Sequence, residues 1–512
     1  MKLILPSIEK FHSSLIELGI NDFIGTFKNN SDFIHEYTLR NLTLKESNPY
    51  YSNIKQLQVY FEENNSLLET LQIIETLPNI DIALSNIENS NANISHFFQL
   101  AKFIIIDHKI NYIDKINTSL IKAEKTLSRY FNDDYTMFLY PVTIDSKIHK
   151  IQILQEKSQA SIKILEKNIY DQFGIEIFFP FPKQITISKD QISDIEQCTF
   201  LDCEKIDTDF YQLNLIPQDS FDTEINALQQ IINEYTETMI AELNLKLLPD
   251  INLIYKEIQL KKNIYLQISL IYSAQKHNLI FPTITEQSIC EYSLQEFIPP
   301  SMNSKHYIPL SIDLSKGAHV IYGGNMTGKT TTLKSIYFSL MLVKWGIPIP
   351  ANNLTLSFPR EVRLHLKSSG SLKKGESSYT EELKFFEHSP LPNDFIIADE
   401  IFGSTFPKIG SELTKIFLQY FKDLQSIFLC TSFYQNIFNQ KDIRYYQMQE
   451  SVNIDKDNKS FPTYLIHELK DDKNRSKHYD EHRSLRIALQ YKLPEQIKIR
   501  INQRLIKKDK KR

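Results

Sequence analysis

Residues 323–330 read GGNMTGKT, which fits G-x-x-x-x-G-K-[ST] with Gly323, Gly328, Lys329 and Thr330 at the fixed places. Such a loop works only between a strand and a helix. Its glycines let the backbone turn and approach closely, and the helix behind it must turn its free N–H groups toward an anion. The flanking sequence meets that demand. SIDLSKGAHVIYGG reads as one β-run ending in glycine, and TGKTTTLKSIYFSLMLVKWG reads as an amphipathic helix. Two further apolar runs, FIIADE and QSIFLCTS, follow with helical stretches between them. Strands alternating with helices imply an α/β sheet covered by helices on both faces.

The N-terminal half has a different rhythm. Leu100, Phe103, Ile104, Ile110, Ile113, Ile116, Leu120 and Leu127 recur at helical spacing, as do Ile225, Leu228, Ile232, Tyr235, Met239 and Leu243. Packed helices follow from both stripes. IEIFFPFPKQITI, between them, is β-rich and punctuated by Pro180 and Pro182. The fold class expected is an α/β P-loop NTPase domain at the C-terminal end, preceded by a mainly α-helical core and lever region with a small mixed insert. The expected divisions are a helical core or arm over 1–131, an inserted clamp-like module over 132–224, a helical lever over 225–295, an ATPase domain over 296–470, and a closing helix-turn-helix with a basic tail over 471–512.

Composition excludes several classes. No apolar run approaches the roughly 18 residues a membrane helix needs, and MKLILPSIEKFHSS lacks the apolar length of a secretory signal, so a cytoplasmic location without membrane attachment is expected. Cysteines at 198, 203, 290 and 430 match no zinc spacing and no disulfide framework, and read as reduced thiols. Formal net charge is −4, which gives no global pull toward nucleic acid.

The loop carries the chemistry. Backbone N–H groups of Gly323, Gly324, Asn325, Met326, Thr327 and Gly328, with the helix start through Thr331, are expected to face the phosphates of ATP. Lys329 reaches the β- and γ-phosphates, and Thr330 sets its hydroxyl on Mg²⁺. Asp399, at the end of an apolar strand, is the expected outer carboxylate of the magnesium site. Glu400 beside it orients or deprotonates the attacking water, which makes Glu400 and Lys329 the expected catalytic pair.

The central residues of the loop, with GESSYTEEL at 375–383, DEIFGSTFPKIG at 399–410 and LCTSFYQN after them, resemble the ATPase domain of the MutS family. Upstream, YLQISLIYSAQKHNLIFPTI and EFIPP resemble that family's entry into the domain and its element near the adenine. Downstream, ALQYKLPEQIKIRINQRL resembles its closing helix-turn-helix. The resemblance covers residues 260–505. It implies a dimer, with itself or with a second MutS-like subunit, in which Ser377 or Ser378 of one subunit contacts the γ-phosphate held by the other. ATP binding would then close the two domains and move the helical arms.

Three features depart from the family pattern. Ser432 stands where the family has a histidine near the γ-phosphate. The first 60 residues hold no F-x-E, and with arms and core accounted for no N-terminal mismatch-reading domain is expected. Between Asn132 and Glu224 there are 17 acidic residues against 8 lysines, with no arginine from Tyr130 to Pro359. Proteins that grip a duplex rely on Lys and Arg to release counterions, so this region would repel DNA. The tail from Lys498 to Arg512, with eight basic residues and one acid, reads as a solvated tail. GSLKKGESSY and the spacing of Thr405, Pro407 and Gly410 are similar to MutS-like ATPases that act with amino-acid aminomutases in a reactivase role. A protein is therefore the first choice of client. A DNA-binding ATPase of the mismatch-repair type is the alternative, and a nucleotide-gated scaffold with little turnover is the third reading, motivated by Ser432.

Overall fold

The computed structural model describes residues 23, 41–110, 118–132, 137–173, 185–188, 201–207, 210–215, 221–286, 288–302, 307–324, 327–366, 378–438, 440–454, 460–469, 489, 495, 497–500 and 502. They fall into two compact units, residues 76–261 and residues 1–75 with 262–512.

In chain order the elements are α1 (Leu44–Asn64), α2 (Leu67–Glu75), α3 (Asp81–Glu88), α4 (Ile94–Lys109), α5 (Thr118–Leu127) and α6 (Val142–Phe173). Strands β1 (Ile185–Ser188), β2 (Leu201–Lys205) and β3 (Phe210–Leu215) precede α7 (Asp222–Leu247) and α8 (Ile251–His277). Then come β4 (Thr283–Thr285), β5 (Glu291–Phe297), β6 (Leu310–Ser315), β7 (Gly317–Tyr322), α9 (Lys329–Lys344), β8 (Asn353–Ser357) and β9 (Val362–His365). The last are α10 (Ser378–Phe385), β10 (Phe395–Ala398), α11 (Pro407–Lys422), β11 (Ile427–Ser432), β12 (Arg444–Ile454) and β13 (Ser460–Glu468).

The unit over 76–261 is helical with a small antiparallel sheet in the order β1-β3-β2. Its α6 and α7 run antiparallel: Tyr140 meets Tyr235 at one end of the contact, and Lys150 pairs with Glu224 at 2.5 Å at the other. Ile144, Ile151 and Leu154 close on Leu228 and Ile232 between them, as helical spacing requires. The stripe from Leu100 to Leu127 is divided, because α4 ends at Lys109 with Ile110 in extended backbone and α5 starts at Thr118. Ile113 and Ile116 lie outside the described residues. The charges of α6 are mixed, four acids with five lysines, so most of the acidic excess of the insert lies after this helix.

The other unit holds a six-stranded sheet in the order β13-β12-β7-β11-β10-β9 and a four-stranded sheet in the order β4-β8-β5-β6. Strands β9, β10, β11, β7 and β12 run parallel, and β13 closes the edge antiparallel. Side chains alternate across the central strands. Ala318, Val320, Ile396, Ala398, Phe428 and Cys430 share one core with Leu418 and Phe421 of α11, where Phe421 stacks on Phe428 at 4.0 Å. Phe395 meets Tyr292 of β5 instead, and Tyr292 bonds Ser339 of α9. Helices therefore cover both faces, as the alternation of strands and helices implies.

Two local expectations are corrected. The run SIDLSKGAHVIY is two strands in two different sheets, β6 and β7, separated by Lys316 alone. Gly317 makes the change of direction, with φ at 106° and with a Cβ there lying 3.0 Å from the Lys422 carbonyl oxygen. Helix α9 is not amphipathic in the fold, since Leu333, Ile336, Tyr337, Phe338, Leu340, Leu342 and even Lys344 are all buried. It touches β9, β10 and β11 of one sheet, while Phe338 meets Phe297 of the other. From Ser335 onward this helix, held between two sheets, has no solvent face to keep polar.

Among the described residues, no helix is long and apolar enough to cross a membrane. Cys290 and Cys430 are buried free thiols, and burial pushes the Cys290 thiol up to about 11.

Candidate functional site

Parallel strands β7, β10 and β11 end side by side, and the segments after them meet at that edge. Open α/β sheets place their ligand crevices at this carboxyl edge. The glycine-rich loop follows β7. Gly323 is hemmed in: a Cβ there would lie 2.8 Å from Thr327 Oγ1 and 3.1 Å from Met448 Cβ. Thr327 donates its hydroxyl to Gly324 O at 2.9 Å, and Gly328, at φ 86°, is the N-cap of α9. Thr332 N–H and its hydroxyl both donate to Gly328 O, at 2.8 and 3.0 Å. Thr331 is half-buried, and its carbonyl accepts the Ser335 hydroxyl.

Lys329 folds back over this loop. Its Nζ donates to Gly323 O at 2.9 Å and Gly324 O at 2.8 Å, with the residue only 6% exposed. Thr330, the next residue, is exposed and donates its hydroxyl to Asp399 Oδ2 at 2.7 Å. That bond joins two segments 69 residues apart. Asn325 and Met326 lie outside the described residues.

Asp399 leaves the end of β10 buried, its N–H donating to His365 O at 2.8 Å. Its other oxygen, Oδ1, accepts from Thr431 Oγ1 at 2.6 Å, and the same hydroxyl accepts the Glu400 N–H at 2.6 Å. Thr431, at the end of β11, thus fixes both members of the acidic pair. It was not among the expected site residues, and a β-branched strand residue carries no sequence mark for such a role. Glu400 is half-buried with φ at 47°, and Phe402 follows at φ 55°. Two non-glycine residues in the left-handed region mark a turn that its surroundings must hold in place.

Glu382 is one of those surroundings. This buried carboxylate of α10 accepts the Phe402 N–H and, at 3.3 Å, the Ser404 hydroxyl. Ser378 is the exposed first residue of α10, and Ser377 lies outside the described residues. On the far side of the turn, Tyr434 donates its hydroxyl to Phe402 O at 2.7 Å. Burial, and then the Glu382 and Glu400 carboxylates, raise the Tyr434 phenol above its ordinary range. Ser432 is buried, and its hydroxyl accepts the Tyr434 N–H at 3.2 Å, an inward turn bond. In EFIPP, Phe297 is fully buried in the core.

Residues 319–507 match the family model for MutS domain V. The loop, the acidic turn and the strand end that converge at the edge of this sheet all lie within the residues matched to that ATPase-type domain. The DNA mismatch repair protein MSH3 of Kluyveromyces lactis is 22% identical over 418 residues, covering 78% of this chain and 36% of that protein. The endonuclease MutS2 of Fusobacterium nucleatum is 22% identical over 413 residues, covering 75% of this chain and 51% of its own. The DNA mismatch repair protein MutS of Lactococcus lactis is 27% identical over 160 residues, covering 30% and 19%. These matches support a member of the MutS family, and the matched region spans about half or less of the length of these relatives.

Proposed function

We propose that this chain binds and hydrolyses ATP with Mg²⁺ through a P-loop at 323–331, and that the cycle opens and closes its helical arms. The observation that carries the reading is the Thr330–Asp399 bond, which brings a hydroxyl and a carboxylate oxygen within 2.7 Å of each other at the helix start. Two hard oxygens at this spacing suit Mg²⁺, which takes one or two side chains and leaves its other positions to phosphate and water. When bound, the ion would neutralise charge on the transferring phosphoryl group. Lys329, held by two carbonyls, can give its N–H bonds to phosphate oxygens without leaving the loop. Glu400, its backbone fixed through Thr431, is the general base for the attacking water. In the dimer of this reading, with itself or with a second MutS-like subunit, Ser377 or Ser378 completes the neighbour's site. Residues 296–470 would be the ATPase domain and 132–224 the clamp module.

A protein client is the reading favoured by the acidic, arginine-free insert, in the manner of a reactivase. DNA is the second reading, favoured by relatives whose names are those of mismatch repair proteins and an endonuclease. The test is the ATPase rate with and without homoduplex and mismatched DNA at two salt concentrations. Turnover indifferent to DNA supports a protein client, to be sought by pull-down with Glu400→Ala held on ATP. Stimulation that falls steeply with salt overturns it in favour of DNA. Nucleotide binding without phosphate release supports the scaffold instead.

A further inference from the structure

The turn that carries Glu400 is tethered through the backbone of a single residue, Phe402. Phe402 N–H is taken by Glu382 and Phe402 O by the Tyr434 hydroxyl, while Gly403 N donates to Glu400 O at 3.0 Å to close the turn. Both Glu400 and Phe402 have positive φ, so the turn does not hold itself. Glu382 belongs to α10, whose first residue is Ser378, and it is 3% exposed. A buried carboxylate bonded to a backbone N–H and a hydroxyl moves only with both partners.

We propose that Glu382 is a positioning residue that makes the placement of α10, and of the serine at its head, inseparable from the placement of Glu400. This rests on the ATPase reading for the role of Glu400, but not for the tether. The consequence is that contact at Ser378 is transmitted to the general base within one subunit, through one side chain.

The experiment compares wild type, Glu382→Ala, Glu382→Gln and Ser404→Ala for ATP affinity, turnover and hydrogen exchange in peptides covering 378–385 and 400–405. Glu382→Ala should lose about ten- to a hundredfold in turnover, the scale of a displaced catalytic group, at unchanged affinity. A non-hydrolysed ATP analogue should slow exchange in both segments of wild type and in 400–405 alone of this variant. Glu382→Gln keeps an acceptor for Phe402 N–H and lets the Ser404 hydroxyl accept instead of donate, so it should restore most of the turnover. Ser404→Ala removes one surface-side bond and should give a smaller loss of turnover at unchanged affinity, which keeps the test open if Glu382→Ala does not fold. The proposal is overturned if the two segments still respond together in Glu382→Ala, or if Ser404→Ala and Glu382→Ala turn over like wild type. A wild type that binds no ATP would refute the ATPase reading instead. The tether would then be tested by faster exchange of 400–405 in ligand-free Glu382→Ala.

Discussion

Helix α9 begins and ends with a buried lysine, and the two ends are built on one scheme with opposite meanings. At the start, Lys329 bonds the carbonyls of Gly323 and Gly324. At the end, Lys344 bonds those of Pro359 and Arg360, at 3.3 and 3.2 Å, and lies over the Phe358 ring. A cation at a helix C-terminus agrees with the helix dipole, whereas one at the N-terminus opposes it. The last turn is also fully dressed. Tyr51 donates to Val343 O at 2.8 Å, Leu42 N to Lys344 O, and Tyr50 to Gly346 O at 2.9 Å. Gly346, at φ 69°, admits the Tyr50 ring where a Cβ would be 2.6 Å from it. The C-terminal end is thus a closed structural cap. The N-terminal end holds a cation against the dipole, beside an exposed threonine and a fixed carboxylate, which is an arrangement that gains from an arriving anion. Burial and carbonyl partners alone do not distinguish these two lysines; the helix end that each occupies does.

The contrast can be broken by exchanging which lysine is removed. Lys329→Ala should weaken ATP binding about a hundred- to ten-thousandfold, the worth of two charge-assisted hydrogen bonds, as read by titration with a fluorescent ATP analogue. Glu400→Gln should lower turnover about a hundred- to ten-thousandfold while titration shows affinity retained. If Glu400→Gln hydrolyses ATP at the wild-type rate, the base is another group. Gly410→Ala sharpens the account of the turn, because a Cβ there would stand 2.1 Å from the Tyr434 hydroxyl and 2.5 Å from Phe402 O. Overpacking of this kind should cost about 1–3 kcal/mol in denaturant unfolding.

Lys344→Met carries the smallest effect and should leave ATP affinity unchanged. Its signature is pH dependence. Burial lowers the Lys344 amine from 10.5 to about 8, with Glu361 opposing that shift and Arg360 adding to it. Between those values the unfolded chain holds a proton that the folded chain has lost, so wild-type stability gains from this group as pH rises from about 8 to 10.5. Below about 8 the burial penalty is fully present. Wild-type stability measured relative to Lys344→Met should therefore rise as pH rises through that window, and a difference independent of pH would contradict the assignment.

Much of the sheet and loop was legible in the residues. FIIA and SIFLCTS are continuous apolar runs because parallel strands covered on both faces keep no polar side. The glycine-lysine-threonine pattern marked the loop, and the DE pair marked the strand end beside it. What stayed hidden depends on tertiary proximity. Periodicity does not show that Gly317 sends one β-run into two sheets, or that α9 is enclosed from Ser335 onward. Thr431 and Glu382 act through bonds 31 and 20 residues long in sequence, to Glu400 and Phe402. A threonine in a strand looks ordinary, and Glu382 stands out only as the matching glutamate of GESSYTEEL, until the fold brings those backbone N–H groups to them.

In the proposed reading Thr330 and Asp399 form one magnesium-assisted nucleotide site, which is to be tested by ATP affinity with and without Mg²⁺ in wild type and Asp399→Ala. The account predicts that Mg²⁺ strengthens ATP binding by wild type and that this gain disappears in Asp399→Ala, while the Mg²⁺-free affinity stays close to the wild-type value. An equal gain in both proteins would contradict it.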